Sequence, residues 1–197
     1  MTESKENSTS QRILKTAAEL FASKGYDALS MRDIASACDI KAPSLYNHFK
    51  DKQALYQATL KFVFKQQSQA LVCCLESDLP PKQKLNEFIE IAGKQMADNF
   101  IFRQLFFRIL LAQDEEDLKF LANQVLADSC NALHAVFVEI NPDCDPHFLT
   151  TSLMGLLLFH FQANPLRIYL PAGSEQTQAS EYLIEHIQLM LHKQLGD

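Results

Sequence analysis

Residues 30–52 read Ser-Met-Arg-Asp-Ile-Ala-Ser-Ala-Cys-Asp-Ile-Lys-Ala-Pro-Ser-Leu-Tyr-Asn-His-Phe-Lys-Asp-Lys. Met31, Ile34, Ala35 and Cys38 recur at i, i+3, i+4 and i+7, which puts them on one face of a short helix, and Ser30 stands where an N-cap belongs. A second short helix begins near Ala42–Pro43, since Pro is tolerated in a first turn whose N–H groups have no partner. Leu45 and Phe49 share its inner face, while Ala42, Pro43, Ser44, Tyr46, Asn47 and His48 are left outside or at its ends. Asp39 to Lys41 joins the two helices. Two short helices so joined are a helix-turn-helix candidate. A helix with an apolar inner face and a polar outer face can dock on its neighbours and still enter a DNA major groove.

Working outward, Ile13, Ala17, Leu20 and Phe21 line one face of a supporting helix from about Ser10 to Lys24. Gly25 ends it as a residue free to take positive φ. Residues 1–9 are polar and are expected to form a disordered tail. Asp51 can cap a fourth helix that turns Leu55, Phe62 and Val63 inward. After Leu79-Pro80-Pro81, a fifth helix carries Leu85, Phe88, Ile89, Ala92 and Met96. Residues 99–113 are apolar nearly all round, as in a helix buried on most sides. Asp114 to Asp117 suit the positive end of the next helix. Helices over about 147–162 and 176–194 close the chain, with the Pro-bearing stretch 164–173 read as a loop. No long alternating strand pattern interrupts the series, so the fold class is all-α.

Composition agrees. The 197 residues are 47% hydrophobic and 21% charged, which excludes a disordered or collagenous chain, and 5 Gly with 7 Pro disfavour a turn-rich β sandwich. The longest apolar run, Phe148 to Ala163, is interrupted by polar residues and falls short of the roughly 20 residues a membrane span needs. No secretory signal is visible, and five cysteines without CxxC spacing suit a reduced, cytoplasmic chain. Net charge is -6, unevenly spread: residues 1–65 hold 10 Lys+Arg against 7 Asp+Glu, and the remainder is acidic. A basic first third on an acidic body points to a polyanion partner for the first third alone.

The pattern Ile13-Leu14, Ala17-Ala18, Leu20-Phe21, Lys24-Gly25-Tyr26, Ser30-Met31-Arg32-Asp33-Ile34-Ala35 and Ser44 through Lys52, closing at Leu55, strongly resembles the TetR family of bacterial transcriptional regulators over residues 10–57. The resemblance implies a three-helix DNA-binding domain at 10–57 and a helical ligand-binding and dimerisation domain at 58–197, about nine helices in all. It also implies phosphate contacts from Ser30, Tyr46 and Lys52. Arg32, Ser44, Asn47 and His48 become base or phosphate contacts, Pro43 an apolar contact to a thymine methyl, and Ala42 a methyl contact at most. Lys41, just ahead of the reading helix, joins the set. Asp39 departs from the family, which commonly has Gly there; Asp tolerates the left-handed region better than most residues, so the turn is expected to survive.

Beyond residue 57 the resemblance is architectural. The Phe-rich stretch suggests an apolar pocket for an unknown small molecule, with Phe62, Met96, Phe100, Arg103, Gln104, Phe107, Phe137 and His160 as candidate contacts. Arg103 and Arg108 lie in one apolar helix and are expected to pair with carboxylates of neighbouring helices, or to face an anionic ligand. A homodimer is expected through Phe148, Met154, Leu157, Leu158 and Phe161 on one helix and Leu183, Ile187, Met190 and Leu191 on the other. Asp143, Cys144, Asp145 and His147 look like metal ligands but sit in a Pro-flanked connector that reads as a solvated loop. No catalytic spacing, cofactor loop or zinc motif appears, so no enzyme is expected; the resemblance implies a ligand-released repressor that binds a palindromic operator as a homodimer. The alternative is a DNA-binding regulator controlled by a protein partner, or by nothing.

Overall fold

The computed structural model describes residues 2–195, and it is helical with turns throughout them. The helices are α1 Thr2–Lys24, α2 Met31–Ala37, α3 Ala42–His48, α4 Lys52–Leu75, α5 Pro81–Asp98, α6 Phe100–Ala112, α7 Glu115–Phe120, α8 Ala127–Ile140, α9 Pro146–Gln162, α10 Asn164–Arg167 and α11 Ser180–Leu195. A π-helical stretch, Leu121–Leu126, fuses α7 to α8, so the helix expected after Asp114 is one continuous run. With that run counted once, the nine expected helices are recovered among the described residues, and α10 is an added single turn inside the expected loop. The final helix starts at Ser180, because Ala179 is extended after a 3-10 turn at Gln176–Gln178. Among the described residues no helix is long and apolar enough to cross a membrane.

α1 begins at Thr2, ahead of the Ser10 start that apolar periodicity indicates, so the polar stretch expected as a tail is drawn as helix. It contains neither Gly nor Pro, and nothing in it terminates the α1 ladder. The chain divides into two compact units, Met1–Gln66 with Gln104–Gln124, and Gln67–Arg103 with Val125–Asp197. The first unit therefore does not stop at residue 57. α4 has no break there, and α6 and α7 return to it.

In the first unit the core gathers Ile13, Ala17 and Phe21 of α1, Ile34 of α2, Leu45 of α3, Leu55, Leu60 and Phe64 of α4, and Leu105 and Ile109 of α6. Phe64 meets Phe106 edge-on at 6.2 Å. α2 starts with a reciprocal cap: Asp33 N–H donates to Ser30 Oγ at 3.2 Å and Ser30 N–H donates to Asp33 Oδ2 at 2.8 Å. The Ser30 hydroxyl also donates to Asp33 Oδ2, and this bond first, then that from Ser30 N–H, holds the Asp33 carboxyl below the usual aspartate range. Gly25 has φ +84 and Asp39 φ +52, so both turns take the left-handed backbone that their residue types suggest.

In the second unit α5 is the spine. Leu85, Phe88, Ile89, Ala92, Gly93 and Met96 are buried along it, and it packs on α8, α9 and α11. Gln188 and His192 of α11 bond Asn86 of α5 at 3.1 and 2.8 Å. Gly93 faces Ile184 so closely that a Cβ there would lie 2.5 Å from its Cγ1.

Two outcomes follow. Gly93→Ala should destabilise the chain by about 1–3 kcal/mol through overpacking, read as a lower midpoint in thermal denaturation; an unchanged midpoint would mean that α11 is not held against α5 as described. Ser30→Ala should cost about 1 kcal/mol of stability by removing the N-cap and should move the Asp33 titration, followed by NMR, back up toward the ordinary aspartate value. Because the folded carboxyl titrates low, its contribution is present above the ordinary aspartate range. It disappears as pH falls through the lowered value.

Candidate nucleic-acid interface

α3 is attached to the first unit by one residue. Leu45 is fully buried and is the buried side chain of that seven-residue helix. Everything else on it lies outward or at the rim. Pro43, Tyr46 and Asn47 are exposed, Tyr46 by 51%, and Ala42, Ser44 and His48 are half-buried. Tyr46 and Asn47 are thus adjacent on the outward face of the helix, and neither has a buried role on it. Lys41 is the exposed N-cap residue and makes no side-chain cap bond. Phe49, expected inside beside Leu45, is instead the extended C-cap and is half-buried, its ring 6.4 Å from that of His48.

α2 contributes Arg32, exposed one residue beyond the first helical position. Ser30 is exposed too, but its hydroxyl both accepts from Asp33 N–H and donates to Asp33 Oδ2 at 2.6 Å. A phosphate at Ser30 would share that hydroxyl with the cap and would lie beside the Asp33 carboxylate.

Lys52 differs most from its expected setting. Its ammonium donates to Tyr26 O and Leu29 O, both at 3.0 Å, and stands 4.0 Å above the Tyr26 ring. Read from sequence it is a cation in the first turn of α4, misplaced for the helix dipole and free to reach a phosphate. In the structure it also ties the α1–α2 bend to α4. The neighbouring Lys50, absent from the expected contacts, stands exposed between α3 and α4, 3.9 Å from Asp51. A lysine next to the reading helix was the signal that could have found it.

The expected ligand contacts divide between the units. Phe62, Gln104 and Phe107 are half-buried in the first. In the second, Met96 and Phe137 are buried, Phe100 is exposed, and Arg103 and His160 are half-buried. Arg103 donates to Ala97 O at 3.1 Å and lies 5.8 Å from the Phe100 ring, while its buried Nε has no partner among the described residues. The expected ion pair of Arg108 is replaced by backbone carbonyls: Nε donates to Ala22 O and Nη2 to Ser23 O, both at 2.9 Å. His160 lines a groove of about 660 Å³ between α9 and α11, together with Leu149, Leu156, Phe159 and Met190.

The expected dimer face also changes. Leu157, Leu158, Phe161, Leu183, Ile187 and Leu191 are buried within the chain, as core against α5 and α8. Met154 is half-buried, and Phe148 and Met190 remain exposed. In the 141–147 connector, Asp145 caps α9 by accepting from Phe148 N–H at 3.0 Å. Among the described residues no group of three or more His, Cys, Asp or Glu is placed to hold a metal ion.

With this geometry in hand, likeness to other proteins is informative. Residues 13–59, which contain α2, α3 and the turn between them, match the pattern of bacterial regulatory proteins of the tetR family. The uncharacterized HTH-type transcriptional regulator YerO of Bacillus subtilis is 25% identical over 185 residues, covering 92% of this chain and 64% of that protein. The biofilm operon icaADBC negative regulator IcaR of Staphylococcus aureus is 42% identical over 53 residues, 27% of this chain and 28% of IcaR. The chain thus spans less than two thirds of the length of either regulator. Among solved structures, AibR in complex with isovaleryl coenzyme A and operator DNA shares the fold at TM-score 0.72 and 19% identity, over 92% of this chain and 97% of that one. The helix-turn-helix set on α1 thus lies within the segment, residues 13–59, that is similar to bacterial regulatory proteins of the tetR family, and over the rest of the chain the likeness to AibR is one of fold.

Proposed function

We propose that the chain is a cytoplasmic DNA-binding repressor that reads a palindromic operator as a homodimer and is released by a small molecule bound in its C-terminal part. The observation that carries this is α3: a short helix held by Leu45 alone, with Pro43, Tyr46 and Asn47 turned outward. In this reading Tyr46 and Lys50 hold phosphates, and Ser44, Asn47 and His48 approach base edges in the major groove. Arg32 and Lys41 work from the flanks, and Lys52 fixes the bend while adding positive potential.

The dimer in this proposal uses the outward stripe of α9 and α11. Phe159 is 67% exposed and Leu189 64%, with Tyr182 and Met190 beside them. Gly155 has open space where a Cβ would stand, so a facing helix could approach closely there. Pairing these stripes about a two-fold axis would form a four-helix bundle. Two reading helices would then lie one DNA turn, about 34 Å, or a multiple apart.

For the inducer the reading is a small apolar or amphipathic molecule, and Arg103 favours one with an anionic group. Burial disfavours its charge, no carboxylate is paired with it among the described residues, and Nε is unsatisfied. The AibR structure holds an acyl coenzyme A, which has that character. Release then requires the ligand to favour a conformation that DNA does not, since only differential affinity shifts the equilibrium. α4, one helix from Lys52 to Leu75 that belongs to both units, is the natural lever.

Footprinting on fragments of the chain's own promoter tests the reading directly: a protected palindrome at low salt is expected, and no protection would overturn it. Tyr46→Ala should weaken that binding about tenfold or more, in line with the roughly 1–3 kcal/mol of a good contact, with little change in the slope of log affinity against log salt because a neutral hydroxyl releases no counterion, whereas Lys50→Ala should lower that slope by about one unit. Phe159→Asp should shift the mass measured by light scattering from dimer to monomer and weaken operator binding with it. A dimer of unchanged mass would move the interface elsewhere.

A further inference from the structure

The last carbonyls of a helix have no partner within it and need donors from outside. At the end of α1, Phe21 O accepts from Gly25 N–H at 3.0 Å. The next two, Ala22 O and Ser23 O, accept from Arg108 Nε and Nη2 at 2.9 Å each. Beyond Gly25, Tyr26 O and Leu29 O accept from the Lys52 ammonium. Four carbonyls along the bend are therefore held by two cations, one from α6 and one from α4. Leu29 directly precedes Ser30, the cap of α2, so the pose of this bend sets where α2 begins and, through the turn at Asp39, where α3 stands.

Arg108 had other choices. Asp114, Glu116 and Asp117 line the same cavity of about 810 Å³ as Arg108. Asp117 Oδ1 is buried without a partner among the described residues, and burial, then Asp114 and Glu116, raise its carboxyl above the usual range. Yet the guanidinium donates to the helix end. Its rigid planar fork suits two neighbouring carbonyls, which a lysine ammonium on a flexible stem cannot match with the same geometry. Gly25 carries the imprint of this contact: a Cβ there would lie 2.9 Å from Arg108 Nη1, apart from the cost of φ +84 for any other residue.

We infer that Arg108 is a positioning residue for DNA recognition: its guanidinium, held against Ala22 O and Ser23 O over Gly25, fixes the bend from which α2 and α3 are presented. This rests on the DNA-binding reading above, but it concerns a residue of α6 that touches no DNA itself.

The test uses the full chain, the operator fragment protected by the unaltered protein, and temperatures at which each variant is folded by circular dichroism. Arg108→Gln should weaken operator binding about tenfold or more while leaving the salt slope unchanged, because no phosphate contact is lost. Arg108→Lys should fall between Gln and the unaltered chain. Gly25→Ala should weaken binding too, and the double variant should lose less than the product of the single losses, since removing the guanidinium removes the collision. Amide hydrogen exchange over Gly25–Met31, measured without DNA, should quicken in Arg108→Gln and less in Arg108→Lys. Unchanged affinity, a salt slope lower by about one unit, multiplying losses in the double variant, or unaltered exchange in this segment would each overturn the inference. If the unaltered chain protects no DNA, the repressor reading fails, while the exchange experiment still decides whether Arg108 holds the bend. If Arg108→Gln does not fold, Arg108→Lys carries both measurements.

Discussion

The helix-turn-helix of this protein depends on how the chain leaves α1. A helix ends in carbonyls, and here a tight bend adds more of them before the next helix starts. Left unpaired they would make the bend both costly and mobile. Arg108 and Lys52 gather Ala22, Ser23, Tyr26 and Leu29 into one defined pose, and Lys52 adds a cation–π contact with Tyr26. Tyr26 in turn lies against Tyr56 and Phe21, with ring centres 5.0 and 6.1 Å away. The bend is thus fixed by backbone acceptors, two cations and an aromatic cluster, and not by its own propensity.

This matters because α2 and α3 have little of their own to hold them. Each has seven residues, too short to be stable alone. α2 is set by its reciprocal Ser30–Asp33 cap and by Met31, Ile34 and Ala35 beneath it, and α3 by Leu45. A reading helix anchored by one side chain leaves nearly its whole surface for contact. The position of that surface must then come from the elements around it.

The second unit follows a different rule. α5 supplies a continuous buried face, and α8, α9 and α11 are packed around it with Gly93 allowing Ile184 to come close. α9 is apolar nearly all round, so after one side has joined this core it still shows Phe148 and Phe159 outward. The proposed dimer rests on this apolar stripe left over by a satisfied core, more than on apolar content by itself.

Much of this could be read from the chain as written. Helix periodicity, the Ser30 cap, Pro43 in a first turn, Gly25 at a helix end and an Asp39 able to take positive φ are local facts. Each acts within a few residues, so the all-α class, the helix-turn-helix and the inward role of Leu45 follow from residue order alone. What periodicity could not do was choose among neighbours. On α9 and α11 it marked Leu157, Leu158, Leu183 and Ile187 as apolar, but only packing decided that these face the core of their own chain while Phe159 and Leu189 do not. Likewise, Arg108 shares an apolar helix with Arg103 and gives no local sign of its partners, which lie 85 and 86 residues earlier. A bond between backbone carbonyls and a distant guanidinium leaves no spacing in the sequence, because any residue supplies the carbonyl. Only the fold brings the two together.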